Sequence, residues 1–299
     1  ALYVINLLIR KAMFVQGRTG ITQNPLRSWG DKYSGKEAHS NMANDNAPER
    51  ALEEVTKIVG KEASVKEISK MLLEGDLGEP RLVPWGSNYT FVISVTPQHD
   101  SSFLAIYKPL EGEAPLWDFP KGLYKREVAA FVTSEAMDWK LVPPTVVRLG
   151  PHGVGSLQLY VPLDEEVDYS ILQGNYSDVL QRIALFDMII NNADRKAGHS
   201  FLGTDGHVWC IDHGLSFHSY PKLRTVIWDF QGAPIPSEYL CSVKNFQKMI
   251  VEERAPMDLL SELISAEEMT SLKLRLEIIL DEPVYPSPTH HKHYPWPPY

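Results

Sequence analysis

Cysteine is nearly absent from this chain: Cys210 and Cys241 are the only two in 299 residues. That excludes a disulfide scaffold and makes a reducing cytoplasm the expected setting. No CxxC or comparable metal-ligand spacing occurs, no GxGxxG, and no internal repeat. Positive charge is in deficit, with 29 Lys and Arg against 38 Asp and Glu for a net charge of -9. Phosphate backbones reward clustered cations, so nucleic acid is not an expected partner. Long apolar runs are missing as well. Leu2 to Ile9 is apolar for eight residues only, far below the ~20 that span a bilayer, and no integral membrane contact is expected. No positive region precedes it and no small-residue cleavage site follows, so it reads poorly as a signal peptide.

What remains is an ordinary globular composition, 43% hydrophobic and 22% charged, long enough for two core-forming units. Residues 1–48 are rich in Arg, Lys, Gly, Asn and Ser without periodicity and are expected to be poorly ordered. Residues 49–74 carry helical periodicity, with Leu52, Val55, Ile58 and Val59 on one face and Val65, Ile68, Met71 and Leu72 on another. From Arg81 the pattern changes to strands: Arg81 to Pro84, Thr90 to Val95 and Phe103 to Tyr107, the last two forming a hairpin. A helix is expected from about Tyr124 to Met137, burying Val128, Phe131, Val132 and Met137. Val146 to Arg148 and Ser156 to Val161 read as two more strands, followed by an acidic linker after Pro162. The second half is helical. Ser177 is placed to cap a helix over Asp178 to Ile190, and Ser265 to Glu268 is a capping box for a helix running to about Leu280. The tail from Pro283 holds six prolines and three histidines, and should lack regular structure. These boundaries give a strand-rich unit over 49–163, a helical unit over 164–282 and a tail over 283–299.

The chemistry concentrates in Asn191-Asn192-Ala193-Asp194-Arg195-Lys196-Ala197-Gly198-His199 and in Ile211-Asp212-His213-Gly214. An apolar helical run leads into the first and an apolar strand, Val208 to Ile211, into the second. Two carboxylates, Asp194 and Asp212, thus stand at the ends of ordered elements among polar loops. An acid pair with a basic residue beside it suits metal-assisted phosphoryl transfer. Taken singly, each has a plainer explanation: Asp194 as an Asx-type cap, Asp212 as part of a common Asp-x-Gly turn.

Together with Gly86-Ser87-Asn88, Tyr107-Lys108-Pro109, Pro115-Leu116-Trp117-Asp118-Phe119-Pro120, Arg126-Glu127 and Lys222-Leu223-Arg224-Thr225, these motifs resemble kinase-fold proteins of the phosphatidylinositol 3- and 4-kinase-like group. The similarity is greatest to a bacterial family of that kind common in actinobacteria, with a more distant likeness to HipA-like kinases. It covers about residues 70 to 299. The resemblance implies an α+β, two-lobed protein-kinase-like fold with a strand-rich N-lobe and a helical C-lobe. It also implies ATP and Mg²⁺ or Mn²⁺ as cofactors and transfer of the γ-phosphoryl group to a hydroxyl acceptor. Asp194 then orients or deprotonates that hydroxyl, with Arg195 beside it as a catalytic candidate. Lys108 contacts the nucleotide phosphates and is held by Glu127, 19 residues on; a surface salt bridge is the plainer alternative. Asp212 binds the metal. By position, Ser87 and Asn88 lie in the phosphate loop, where a tight turn serves equally well, and Gln158 and Tyr160 lie in the adenine-contacting hinge.

One position departs from the pattern. The residue five after Asp194 is usually an Asn that ligates metal, and here it is His199, a softer donor than Mg²⁺ prefers. His199 therefore binds a metal such as Mn²⁺, or contacts phosphate, or leaves the ion mainly to Asp212. Two other readings stay open: a nucleotide-binding pseudokinase with a regulatory role, and transfer of AMP instead of the phosphoryl group. The acceptor, whether protein, lipid or metabolite, is not specified by any motif. Lys222 and Arg224 are placed to recognise an anion or simply to be solvated. Trp117-Asp118-Phe119 and Trp228-Asp229-Phe230 are expected to be packing anchors.

Overall fold

The computed structural model describes residues 64–83, 88–98, 101–289 and 291–299. The expected leader over 1–48, the helical stretch up to residue 63 and Ser87 lie outside the described residues. The first element is helix α1 (Val65–Glu74), opened by a capping box in which Ser64 and Glu67 satisfy each other's backbone N–H groups. Its carbonyl end is held by Arg148, which donates to the backbone oxygens of Leu72 and Gly75 at 2.6 and 2.5 Å.

Next come β1 (Asp76–Leu77), β2 (Arg81–Leu82), β3 (Phe91–Thr96) and β4 (Phe103–Pro109). After helix α2 (Leu123–Ala136) follow β5 (Thr145–Gly150) and β6 (Gly153–Leu159). All six strands form one antiparallel sheet in the order β1-β3-β4-β6-β5, with β2 also on β3. Side chains alternate across a strand, and that alternation decides which residues reach the cleft. In β4 and β6, Phe103, Ala105, Tyr107, Leu157 and Leu159 turn to one face and bury against Ile68 and Leu72 of α1. Ile106 and Lys108 therefore share the opposite face, and the register sets them across from Gln158 and Ser156. At Gly155 the backbones of β4 and β6 come so close that a Cβ would lie 2.3 Å from the Lys108 carbonyl oxygen. Only glycine fits beside the lysine.

Helix α2 was expected to bury one stripe, yet nearly all of Leu123 to Ser134 is buried. The reason is its position: Tyr124, Val128 and Phe131 join a core made mostly of the helices that follow. Those are α3 (Tyr169–Asn175), α4 (Ser177–Ile190), α5 (Ser237–Val251), α6 (Met257–Leu263) and α7 (Ala266–Asp281), with a short hairpin of β7 (Ser200–Leu202) and β8 (Val208–Cys210). The fold is α+β and two-lobed, a strand-rich lobe followed by a helical one. Ser177 is not a cap. The chain arrives already turned from α3, so Ser177 is the first residue of α4 and Tyr176 holds the cap position without a side-chain bond; a carboxylate cap occurs one helix earlier, where Asp168 accepts from the Ile171 N–H to open α3. The acidic stretch read as linker thus ends in the cap of α3, which follows it directly.

The tail has little regular structure, as its prolines imply, but it docks. Tyr285 is buried with its hydroxyl on the Gln181 carbonyl at 3.0 Å. His293 stacks on Trp228, and the Pro298 carbonyl accepts from the Ala197 N–H at 2.9 Å, inside the stretch that carries Asp194.

Candidate active site

The floor of the cleft is built by α4 and the loop after it. Asn191 ends the helix in a left-handed conformation (φ 53°), a geometry that Asn tolerates better than most residues. Its side chain donates to the carbonyls of His218 and Tyr220 and accepts from the Lys222 N–H. Asn192 donates to Asp187 at 2.9 Å and accepts from the Asp194 N–H at 3.0 Å. These amides tie the loop carrying Asp194 to the segment that follows Asp212.

Beneath both loops lies Arg195, fully buried. It pairs with Asp187 through Nε and Nη2, donates to the carbonyls of His199 and Ile211 at 3.0 and 3.1 Å, and meets His213 Nε2 at 2.8 Å. These partners engage Nε, Nη1 and Nη2 within the buried layer, so the expectation of a catalytic Arg195 gives way to a positioning one. A buried guanidinium needs a buried counter-charge, and Asp187 provides it. Asp187 was not singled out in the sequence; the signal was one carboxylate inside the otherwise apolar run Leu180 to Ile190.

Lys108 links the lobes. Its ammonium sits 2.5 Å from Glu127 Oε1 and 2.9 Å from Asp212 Oδ1, while Glu127 Oε2 accepts from the His213 N–H at 2.9 Å. Burial pulls the lysine down, but Asp212 and Glu127 outweigh it and hold its pKa above the usual range. Asp212 in turn is held well below the usual carboxylate range, chiefly by Lys108 against the opposing effect of burial. Its backbone is left-handed (φ 62°), a strain of a kind that clusters at functional sites.

Asp194 stands in the opposite condition. Burial pushes its pKa up to about 6, with Asp212 adding to the rise and Lys196, at 3.4 Å, opposing it. His199 lies between the two acids. Its Nδ1 is 2.9 Å from the Asp194 carbonyl oxygen, which only accepts, and 3.4 Å from the Lys196 N–H, which only donates; the shorter contact puts the ring proton on Nδ1. Nε2 is then left with its lone pair, 3.4 Å from Asp212 Oδ2. Burial lowers the pKa of the ring to about 4, so it is neutral at pH 7. An imidazole lone pair facing a carboxylate oxygen is a donor pair for a divalent cation. Among the described residues no group of three or more His, Cys, Asp or Glu could hold an ion alone.

Other expected residues fall at the margin. Asn88 accepts from the Ala114 N–H at 2.8 Å, which ties two loops. Gln158 donates to Thr145 Oγ1 at 2.8 Å within the sheet, and the Tyr160 N–H donates to the Leu104 carbonyl. Trp117 is not a packing anchor: it is 95% exposed, with the Lys222 ammonium 5.7 Å from its ring centre and bonded to Asp118. Trp228 does pack, against His293 and Tyr294.

No family model matches the sequence. The chain is 36% identical over 263 residues to Protein Rv2133c of Mycobacterium tuberculosis (strain ATCC 25618 / H37Rv), spanning 76% of this chain and 94% of that protein. Solved structures similar to it include hydra Fam20 with sugar, at a TM-score of 0.49 and 13% identity over 74% of this chain and 89% of that one. The Golgi casein kinase with Mn/ADP bound is similar at a TM-score of 0.47 and 15% identity, covering 73% and 75%. The Helicobacter pylori proinflammatory kinase CtkA is similar at a TM-score of 0.37 and 12% identity, covering 65% and 91%.

Proposed function

We propose that this chain, which belongs to the family of Protein Rv2133c, is an ATP-dependent phosphotransferase that moves the γ-phosphoryl group to a hydroxyl acceptor. The observation that carries the reading is the placement of one ammonium between two carboxylates from different elements, with a third, less acidic carboxylate across from them. An ammonium has three donors. On Lys108 two are committed to Glu127 and Asp212, which leaves one to donate to a phosphate oxygen. Asp212 and the Nε2 of His199 would hold Mg²⁺ or Mn²⁺, whose contribution when bound is to neutralise charge on the phosphates. Asp194 receives the proton of the acceptor hydroxyl, and a pKa near the working pH is what a general base requires. Lys196 keeps Asp194 oriented, and Arg195 and Asp187 hold both loops in register from below.

The finer reading, a kinase of the phosphatidylinositol 3- and 4-kinase-like kind, rests on motif resemblance alone. The acceptor hydroxyl belongs to a protein, a lipid or a metabolite. No helix among the described residues is long and apolar enough to cross a membrane. The departure at His199 does not dismantle the cation site, because the ring offers a lone pair where an Asn would offer an amide oxygen. That favours an active enzyme over a pseudokinase.

The test uses ATP labelled separately at the γ- and α-phosphates, with Mg²⁺ or Mn²⁺. Label lost from the γ position only, abolished by Asp194→Ala, is the expected result. Transfer from the α position would replace the kinase by an AMP transferase. Turnover of neither label, with nucleotide still bound, would leave a regulatory nucleotide-binding protein.

A further inference from the structure

We propose that Arg126 is a positioning residue that, through a buried ion pair with Glu268, fixes Glu127 to the helical lobe. The Lys108–Glu127–Asp212 arrangement is then part of the resting protein and is not assembled by a swing of α2. The inference rests on the phosphotransferase reading of the cleft.

Arg126 and Glu127 are neighbours on α2, both buried, and they point to different partners. Glu127 takes Lys108 and the His213 N–H. Arg126 takes two anchors in the helical lobe and a third in the loop that precedes α2. Its Nη2 donates to Glu268 Oε1, its Nε donates to the Ser216 carbonyl at 3.0 Å, and its guanidinium lies 5.8 Å from the centre of the Phe119 ring. Ser216 is four residues after Asp212, so the same guanidinium that places Glu127 also steadies the segment bearing the metal-site acid. Glu268 is doubly used. Its other oxygen accepts from the Ser265 N–H at 2.8 Å in the capping box that opens α7, while Ser265 Oγ accepts from the Glu268 N–H at 3.2 Å. The carboxylate is thereby fixed by the start of a helix, independently of Arg126. With Tyr124, Val128 and Phe131 of α2 also in the helical core, the helix is held to that lobe as well as packed on β5 and β6. Lys108, on β4, belongs to the other.

Single removal of either partner strands a buried charge and risks unfolding. The informative variant is Arg126→Met with Glu268→Gln, which removes both charges, keeps the volume and leaves Gln to complete the capping box. Expected is a folded protein with a near wild-type melting temperature, whose kcat/KM for ATP falls about tenfold, as it does in Glu127→Gln. Adding Glu127→Gln to the pair variant should then cost less than about twofold more, because both changes act through one group. Hydrogen exchange supplies a readout that does not need turnover: amides of residues 123–130 should exchange faster in the pair variant, with those of β4 and β6 unchanged. Wild-type kcat/KM in the pair variant, multiplicative losses with Glu127→Gln, or unchanged exchange in α2 would each overturn the proposal. A wild-type protein that transfers no phosphoryl group would instead overturn the functional reading, and the exchange experiment would still decide whether Arg126 and Glu268 hold α2.

Discussion

The two acidic loops of the cleft carry the same functional group in opposite electrostatic states. Asp212 is kept ionised because Lys108, 2.9 Å away, outweighs the effect of burial. Asp194 faces a more distant ammonium, Lys196 at 3.4 Å, so burial prevails and its pKa rises to about 6. Two carboxylates whose surroundings drive them apart divide the labour of acid–base chemistry. The one that stays charged suits a cation, and the one that titrates near neutrality suits a proton. The shared foundation is Asp187–Arg195, which touches the backbone on both sides, at His199 and at Ile211.

Removing the charge from the ionised side should have the largest effect. Asp212→Ala is expected to lower phosphoryl transfer by about 10³-fold or more, by loss of charge stabilisation at the phosphates, and to abolish the metal dependence of nucleotide binding measured by calorimetry. Retained metal dependence would place the ion elsewhere. Asp194→Asn comes next. A fall of about 10²–10³-fold in kcat with unchanged nucleotide affinity is the size of a lost general base. The same variant should be more stable at pH 7. The folded pKa of Asp194 lies above its unfolded value, so folding favours the protonated form. The stability it confers is complete below about pH 4 and is lost as the pH rises through about 6. Asn, always neutral, avoids that loss, worth up to about 3 kcal/mol for a shift of two units. Chemical denaturation at pH 5 and pH 8 checks it: the gain from Asn should be larger at pH 8. Asp212 runs the other way, its depressed pKa giving stability above about pH 4 that falls away in acid.

A smaller effect is expected at the loop's odd residue. His199→Asn exchanges an imidazole nitrogen for an amide oxygen, and activity should stay within about tenfold of wild type. The preference should shift from Mn²⁺ toward Mg²⁺, because the hard ion favours oxygen. Rates measured across the two metals give the answer, and an unchanged ratio would remove His199 from the cation site.

Much of this site was legible because its residues sit at the ends of elements with strong patterns. The alternation of Phe103, Ala105 and Tyr107 fixes Lys108 on the opposite face of β4, and the apolar runs before Asp194 and Asp212 announce where each loop begins. The capping box at Ser265 was equally plain, although nothing local showed that Glu268 also serves Arg126. What could not be read depended on packing between distant segments. Asp187 looks like an interruption in an apolar helix until Arg195 is found beneath it. The stripe expected on α2 failed because that helix is covered by the sheet and by the helical core together. Ser177 has the chemistry of a cap but lost the position to Tyr176, since α3 runs into α4 with a single residue between them. Trp117 suggested packing by its size, and its exposure beside Lys222 follows from a loop geometry that composition does not encode.

The central claim is that the two carboxylates ionise in separate pH ranges. It is tested most directly by following the side-chain carboxyl ¹³C resonances of aspartate-labelled protein through an acid titration, with Asp194→Asn and Asp212→Asn to assign them. The account predicts that Asp194 titrates near pH 6 and that Asp212 stays ionised down to the lowest pH at which the protein remains folded. Titration of both at the ordinary carboxylate value, near pH 4, would contradict it.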